Sequence, residues 1–265
     1  MKTILVTGAN GQLGQCIQKI ATNFKDFRFV FKDSKELDIT NEASLYDTFS
    51  LDNFDYCINC AAYTNVEQAE KTPELAFAVN AKGAKNLAEV CKQNRTCLIH
   101  ISTDYVFDGE KAEGYLPSDV PNPINEYGKS KLLGEKYIQE SMNYYRIIRT
   151  SWLYSEYGNN FYKTILGKIN SGQALRITDE QSGNPTNANN LAKFILNTLQ
   201  DNTCNRSIQH FCDNETMTWY QFAERIISKN NLGLTARLVK DKNYRTFAKR
   251  PKNSILINFS ITNEF

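Results

Sequence analysis

Tyr127-Gly128-Lys129-Ser130-Lys131 sets a phenol and an ammonium four residues apart, which is one helical turn and therefore one helix face. A phenol ordinarily ionises near ~10, and a nearby cation favours the phenolate, so this pair suits proton exchange with a carbonyl oxygen near neutral pH. Alone the pattern is weak, because the chain has 14 tyrosines and a packed ring beside a solvated ammonium needs no function. Thr103 strengthens it. It closes the apolar run TCLIHIS and opens Thr103-Asp104-Tyr105-Val106-Phe107, at the carboxyl end of an expected strand, where ligands of doubly wound sheets bind and a hydroxyl could hold the carbonyl for Tyr127.

A second constellation complements the first. Gly8-Ala9-Asn10-Gly11-Gln12-Leu13-Gly14 spaces its glycines as GxxGxxG between an apolar run and a helical pattern. The glycines permit a tight turn and let backbone N–H groups approach a pyrophosphate, to which the helix N-terminus adds partial positive charge. Gly8, Asn10, Gly11, Gln12, Leu13 and Gly14 are thus candidate dinucleotide contacts. Asp33 follows the second apolar run, where a carboxylate is expected to hold the adenosine ribose, while Lys32 and Lys35 beside it favour a 2′-phosphate. Use of both NADPH and NADH is expected.

The elements that must position these residues alternate. Lys2–Thr7, Phe27–Phe31, Tyr56–Cys60, Thr96–Ser102 and Tyr145–Thr150 read as strands, and the stretch after the glycine turn, Glu42–Phe49, Leu75–Cys91 and Tyr127–Ser141 as helices. Strands apolar on both faces between helices predict the α/β class, a Rossmann-like doubly wound parallel sheet. Residues 1–150 form the expected dinucleotide-binding domain, joined by later segments near 188–213. Residues 151–265, with helices near Phe161–Ile169, Asn190–Leu199 and Trp219–Ile227, form mainly a smaller α/β substrate-binding domain. The polar stretch 108–125 is long for a plain connection and suits a binding loop.

Composition limits the partners. With 265 residues, 41% hydrophobic and 23% charged, the chain can bury a sizeable core, and a net charge of +2 is too balanced for general nucleic-acid binding. The first apolar run reaches Gly8 too soon for a secretory signal, and no segment is apolar for long enough to cross a membrane, so a cytoplasmic protein without membrane contact is expected. Seven cysteines, at 16, 57, 60, 91, 97, 204 and 212, are odd in number and scattered, which predicts reduced thiols. Cys57 and Cys60 imitate a metal motif but lie within a strand run that sends them to opposite faces; with only His100 and His210 besides, no metal site is expected.

GANGQLG, CAAYTNVEQAE, VNAKGAKNLA, ISTDYVFDG, YGKSKLLGE, RTSWLYSEYGNNF, DEQSGNPT and RPKNS follow in this order and closely resemble the dTDP-4-dehydrorhamnose reductase family of extended short-chain dehydrogenases/reductases. The resemblance covers nearly the whole chain. It implies reduction of the C4 ketone of dTDP-4-dehydro-β-L-rhamnose to dTDP-β-L-rhamnose, with Thr103, Tyr127 and Lys131 as the catalytic set. It adds Asp38, Ala61, Ala62, Tyr63 and Asn80 to the cofactor contacts, with Tyr127 and Lys131 shared, and implies substrate contacts at Val66, Tyr105, Trp152, Asn160 and Arg250. An indole suits the apolar patches of a deoxysugar and a guanidinium suits phosphate.

Two features depart from the family pattern. Cys16 stands where metal-linked dimers of the family carry an acidic residue, and a thiol is a poor ligand for Mg²⁺; Mg²⁺ is left open, as are monomer and homodimer. ITNEF follows soon after RPKNSILI, where relatives carry a further helical segment, so the smaller domain is expected to be short at its C-terminal end. A reductase or epimerase of another nucleotide 4-ketosugar would share the same set. A non-catalytic regulator, similar to the β subunit of methionine adenosyltransferase, would have no need to retain it.

Overall fold

β1 (Lys2–Thr7), β2 (Phe27–Lys32), β3 (Tyr56–Asn59), β4 (Cys97–Thr103), β5 (Tyr145–Thr150) and the strand Ser207–His210 form a six-stranded sheet. Its order is Ser207–His210, β5, β4, β3, β1, β2, and every pairing is parallel. The computed structural model describes residues 1–201 and 204–258. From β1 the chain crosses to β2 on one side and returns to β3 on the other, so a crevice opens between the carboxyl ends of β1 and β3.

The strands bury both faces because their apolar residues do not alternate with polar ones. Leu5, Cys57, Leu98 and Ile147 pack on one face against α2 (Glu42–Leu51), α5 (Ala84–Gln93) and α6 (Glu126–Ser141). Ile4, Val6, Ile58, Ile99 and Ile148 pack on the other against α1 (Gln12–Ala21) and α8 (Ala188–Thr198). α8 and the sixth strand therefore return to the sheet from late in the sequence. A separate cluster joins α7 (Phe161–Asn170) to α9 (Trp219–Lys229) through Ile165, Ile169, Phe222 and Ile226, with Trp152 at its edge.

The structure modifies one expected helix, adds short strands and overturns one expectation. The helix expected over Leu75–Cys91 is present but irregular: it starts at Pro73 as α4 (Pro73–Phe77), widens by one turn at Ala78–Gly83 and continues as α5, with α3 (Val66–Lys71) a separate short helix before it. Pro73 can start a helix but not continue one, and the wide turn carries the buried Asn80, whose amide serves Tyr63 and Ser130. Short strand pairs go unread in the sequence: Leu153–Tyr154 with Thr186–Asn187, Leu175–Ile177 with Leu238–Lys240, and Ser182–Gly183 with Met217–Thr218. Two or three residues carry no readable periodicity. Finally, Cys97 and Cys204 are joined in a disulfide, with Cα atoms 6.1 Å apart, whereas reduced thiols were expected throughout; β4 and the approach to the sixth strand bring together cysteines that their scatter in sequence kept apart. The expected short C-terminal end concerns residues 259–265, outside the described residues.

Candidate active site

Because the strands are parallel, everything that follows a strand lies on one edge of the sheet. The glycine turn after β1, Asp33 after β2, Ala61–Tyr63 after β3, Thr103–Tyr105 after β4 and Trp152 after β5 gather there. A cleft of about 580 Å³ opens among them, lined by Gly11, Gln12, Thr103, Tyr127, Lys131 and Trp152 among others. Among the described residues no group of His, Cys, Asp and Glu could hold a metal ion.

The glycine turn is shaped by contact. Gly8 has φ +64° and a Cβ there would stand 2.6 Å from the Ala61 nitrogen, so the turn tolerates little else. Gly11 stands at the N-cap of α1 and, having no side chain, offers no cap, while α2, α3, α6, α7 and α8 are each capped by an asparagine. The first N–H groups of α1 thus face the cleft without a side-chain acceptor. Asn10 Nδ2 donates to Asp33 at 2.6 Å, and the other Asp33 oxygen accepts from the Lys35 and Glu36 backbones, so Asp33 also builds the turn it occupies. Asp38 accepts from Thr40 in a similar local turn.

α6 brings the phenol and the ammonium. Asn125 caps it through the Gly128 N–H at 2.7 Å, and Gly128 lets the helix press on the turn after β4, where a Cβ would overlap the Tyr105 carbonyl oxygen. Thr103, Tyr127 and Lys131 all line the cleft. Burial holds the Tyr127 phenol well above its ordinary ionisation range, and the Thr103 hydroxyl opposes that while Asp104 and Tyr105 add to it. Lys131 Nζ donates to the Ile101 carbonyl at 2.6 Å and lies 3.4 Å from His100 Nε2. Burial pulls it down to about 8, against the opposing fields of Glu135 and Cys60.

A buried clamp joins the two halves of this set. Glu135, one turn beyond Lys131, takes the Arg149 guanidinium in a fork at 3.0 and 2.6 Å and accepts from Ser102 Oγ at 2.5 Å. Ser102 immediately precedes Thr103, so one carboxylate ties α6 to β4 and β5. Replacing a partner in such a pair strands the other charge in a dry interior.

The remaining expected residues fall into two groups. Val66, Ala62, Tyr105, Trp152, Asn160 and Arg250 line the cleft. Trp152, at φ +44°, stacks on Trp219 with ring centroids 3.5 Å apart. Arg250 donates to the Tyr105 hydroxyl at 3.1 Å and pairs with Glu67 at 2.8 Å, while its Nε has no partner. Asn160 caps α7 and its amide donates to Gln12, Ser155 and Tyr157, which pins the second cluster to the glycine turn. Asn80 stands behind the cleft, both ends of its amide holding the Tyr63 backbone. Ala61 donates to Asn59.

Sequence reasoning missed Asp104, Glu67, Trp219 and His100. Asp104 is buried, lines the cleft, and is pushed up to about 6 by burial, with the Ser254 and Thr103 hydroxyls opposing. Its Oδ2 has no partner. A carboxylate between Thr103 and Tyr105 at a strand end was a usable signal; Glu67 and Trp219 gain their places only through distant contacts.

A parallel sheet switched at β1 and β3, with a Tyr and a Lys one turn apart on the helix that follows β4, defines the class of Rossmann-type short-chain dehydrogenases/reductases. Within that class, residues 1–265 match the RmlD substrate binding domain family, and the chain belongs to it. A dTDP-4-dehydrorhamnose reductase of Aggregatibacter actinomycetemcomitans is 35% identical across 97% of this chain and 90% of its own. A crystal structure of the Bacillus anthracis dTDP-4-dehydrorhamnose reductase in complex with NADP superposes with a TM-score of 0.92 at 37% identity, covering 98% of this chain and 92% of that one. The Clostridium acetobutylicum orthologue gives a TM-score of 0.90 at 37% identity, covering 97% and 90%.

Proposed function

We propose that the protein reduces the C4 ketone of dTDP-4-dehydro-β-L-rhamnose to dTDP-β-L-rhamnose, using NADPH and also NADH. The observation that carries this reading is the convergence of Thr103, Tyr127 and Lys131 on one cleft at the sheet's switch point, in a chain of this family. The residues fit the dinucleotide: the uncapped start of α1 and the side-chain-free approach at Gly8 suit a pyrophosphate. When bound, its nicotinamide would supply the hydride to the ketone carbon.

This chain's residues supply the rest. Tyr127, kept protonated by burial, gives its proton to the ketone oxygen as negative charge gathers there. Thr103 orients that oxygen, and Lys131 holds the nicotinamide ribose and favours the phenolate that proton transfer leaves behind. The Trp152 and Trp219 plates cover the apolar face of the deoxysugar, Asp104 Oδ2 accepts a sugar hydroxyl, and Arg250 meets the diphosphate at the rim. Cys16 lies on the buried face of α1 and its thiol is pushed up by burial, so we assign it neither Mg²⁺ nor a dimer contact. Monomer and homodimer are both compatible, and nucleic acid is no partner. Among the described residues no helix is long and apolar enough to cross a membrane.

Incubation with NADPH and dTDP-4-dehydro-β-L-rhamnose tests the reading. Oxidation of the cofactor with formation of dTDP-β-L-rhamnose is expected; NADPH binding without oxidation above the blank would refute it and favour a regulatory role.

A further inference from the structure

A row of polar side chains crosses the otherwise apolar sheet directly behind the cleft. Thr7 on β1, Asn59 on β3 and His100 on β4 are in register, and all are buried, as is Lys131 at the end of the row. Thr7 Oγ1 donates to Asn59 Oδ1 at 2.8 Å, and Asn59 Nδ2 lies 3.0 Å from His100 Nδ1.

The direction of this chain is fixed at its start. The Ala61 backbone N–H, which can only donate, lies 3.1 Å from Asn59 Oδ1, so the Asn59 nitrogen must face the histidine. An amide nitrogen only donates, hence His100 Nδ1 accepts. Burial and the neighbouring Lys131 charge keep the ring neutral, which leaves its one proton on Nε2. That N–H points at Lys131 Nζ, 3.4 Å away. A lysine amine has a lone pair for it and an ammonium has none.

The other groups near Lys131 are Glu135 and Tyr127, each one turn away on α6, and the Cys60 thiol just after β3, itself held protonated by burial; among the described residues Glu135 is the carboxylate whose field acts on the lysine. The Ile101 carbonyl is the ammonium's close acceptor.

We propose that His100 is a positioning residue that makes Lys131 a proton-linked contact: its Nε2–H faces Nζ, so that the lysine takes up its proton together with the dinucleotide, whose ribose and phosphates supply the acceptors His100 withholds. This rests on the dinucleotide-reductase reading above. It follows that NADPH binding weakens as pH rises past the Lys131 value of about 8, by about tenfold per pH unit for one linked proton. His100→Asn keeps an acceptor for Asn59 and removes the Nε2–H; His100→Gln offers an oxygen where the N–H stood. Both relieve Lys131 and move the bend in affinity to higher pH.

The test is the NADPH dissociation constant measured by fluorescence from pH 6.5 to 9.5 in the parent and both variants, with ¹⁵N NMR of His100 in the parent. The expected results are a bend near pH 8 in the parent, a bend about one pH unit higher in the variants, which is about a fivefold gain in relative affinity at pH 9, and an Nε2–H tautomer. A bend unmoved by either substitution, no bend in the parent, or an Nδ1–H tautomer overturns the proposal, and the NMR result stands even if a variant fails to fold. A failure of the functional reading would instead show as no NADPH binding at any pH.

Discussion

Replacing Asp104 with asparagine removes a carboxyl that the fold holds in a dry site, and the change in stability can be worked out. Burial raises the group from an ordinary 3.8 to about 6 in the folded protein. The folded state therefore binds the proton more tightly than the unfolded one, so this group costs nothing below the unfolded value and costs most once pH exceeds the folded value. At about 1.4 kcal/mol per tenfold, the full penalty is about 3 kcal/mol, of which about 2 kcal/mol develops between pH 4.5 and 7.5. The Asp104→Asn substitution keeps an oxygen for the Thr103 donor at 3.0 Å and carries no charge. Urea unfolding of ligand-free parent and variant across that pH range isolates the term, because all other titrating groups cancel in the difference. The advantage of the variant should grow by about 2 kcal/mol with rising pH. A difference flat with pH, or one growing toward acid, would show that the Asp104 charge is not held in a dry site.

Tyr127→Phe should remove most turnover while leaving the NADPH dissociation constant within a few-fold, since the ring still packs edge-on against Tyr105; steady-state rates beside fluorescence titration check this. Asp33→Asn, which keeps an acceptor for the Lys35 and Glu36 backbones but loses the charge, should raise the ratio of NADPH to NADH efficiency, and an unchanged ratio would show that Asp33 serves the turn alone. Glu135→Gln should cost about 3–5 kcal/mol in urea unfolding, because it leaves Arg149 charged and only 2% exposed; a loss below about 1 kcal/mol, the worth of a surface pair, would contradict a dry clamp.

Much of this architecture was legible because buried parallel strands announce themselves. β1 and β5 run over the residues expected from their unbroken apolar stretches, and the glycine turn is marked by steric needs that few other residues meet. The Tyr and Lys of α6 were legible as a pair because four residues make a turn. What stayed hidden depends on contacts distant in sequence. Nothing in the local pattern foretold that Asn80 would open the helix around it to hold Tyr63, or that Trp219 would travel to stack on Trp152. His100 sits within an apolar strand run, and its partners, Asn59 by strand register and Lys131 from α6, appear only in the fold. The disulfide was missed for the same reason, since Cys97 and Cys204 are 107 residues apart.

The most direct measurement of the central claim is isotope transfer. NADPH deuterated at the transferable position of nicotinamide C4 is incubated with the protein and dTDP-4-dehydro-β-L-rhamnose, and the sugar product is read by NMR. One deuterium is expected at C4 of dTDP-β-L-rhamnose, with loss of that product in Tyr127→Phe. Deuterium at another carbon, or a product without deuterium, would contradict that claim.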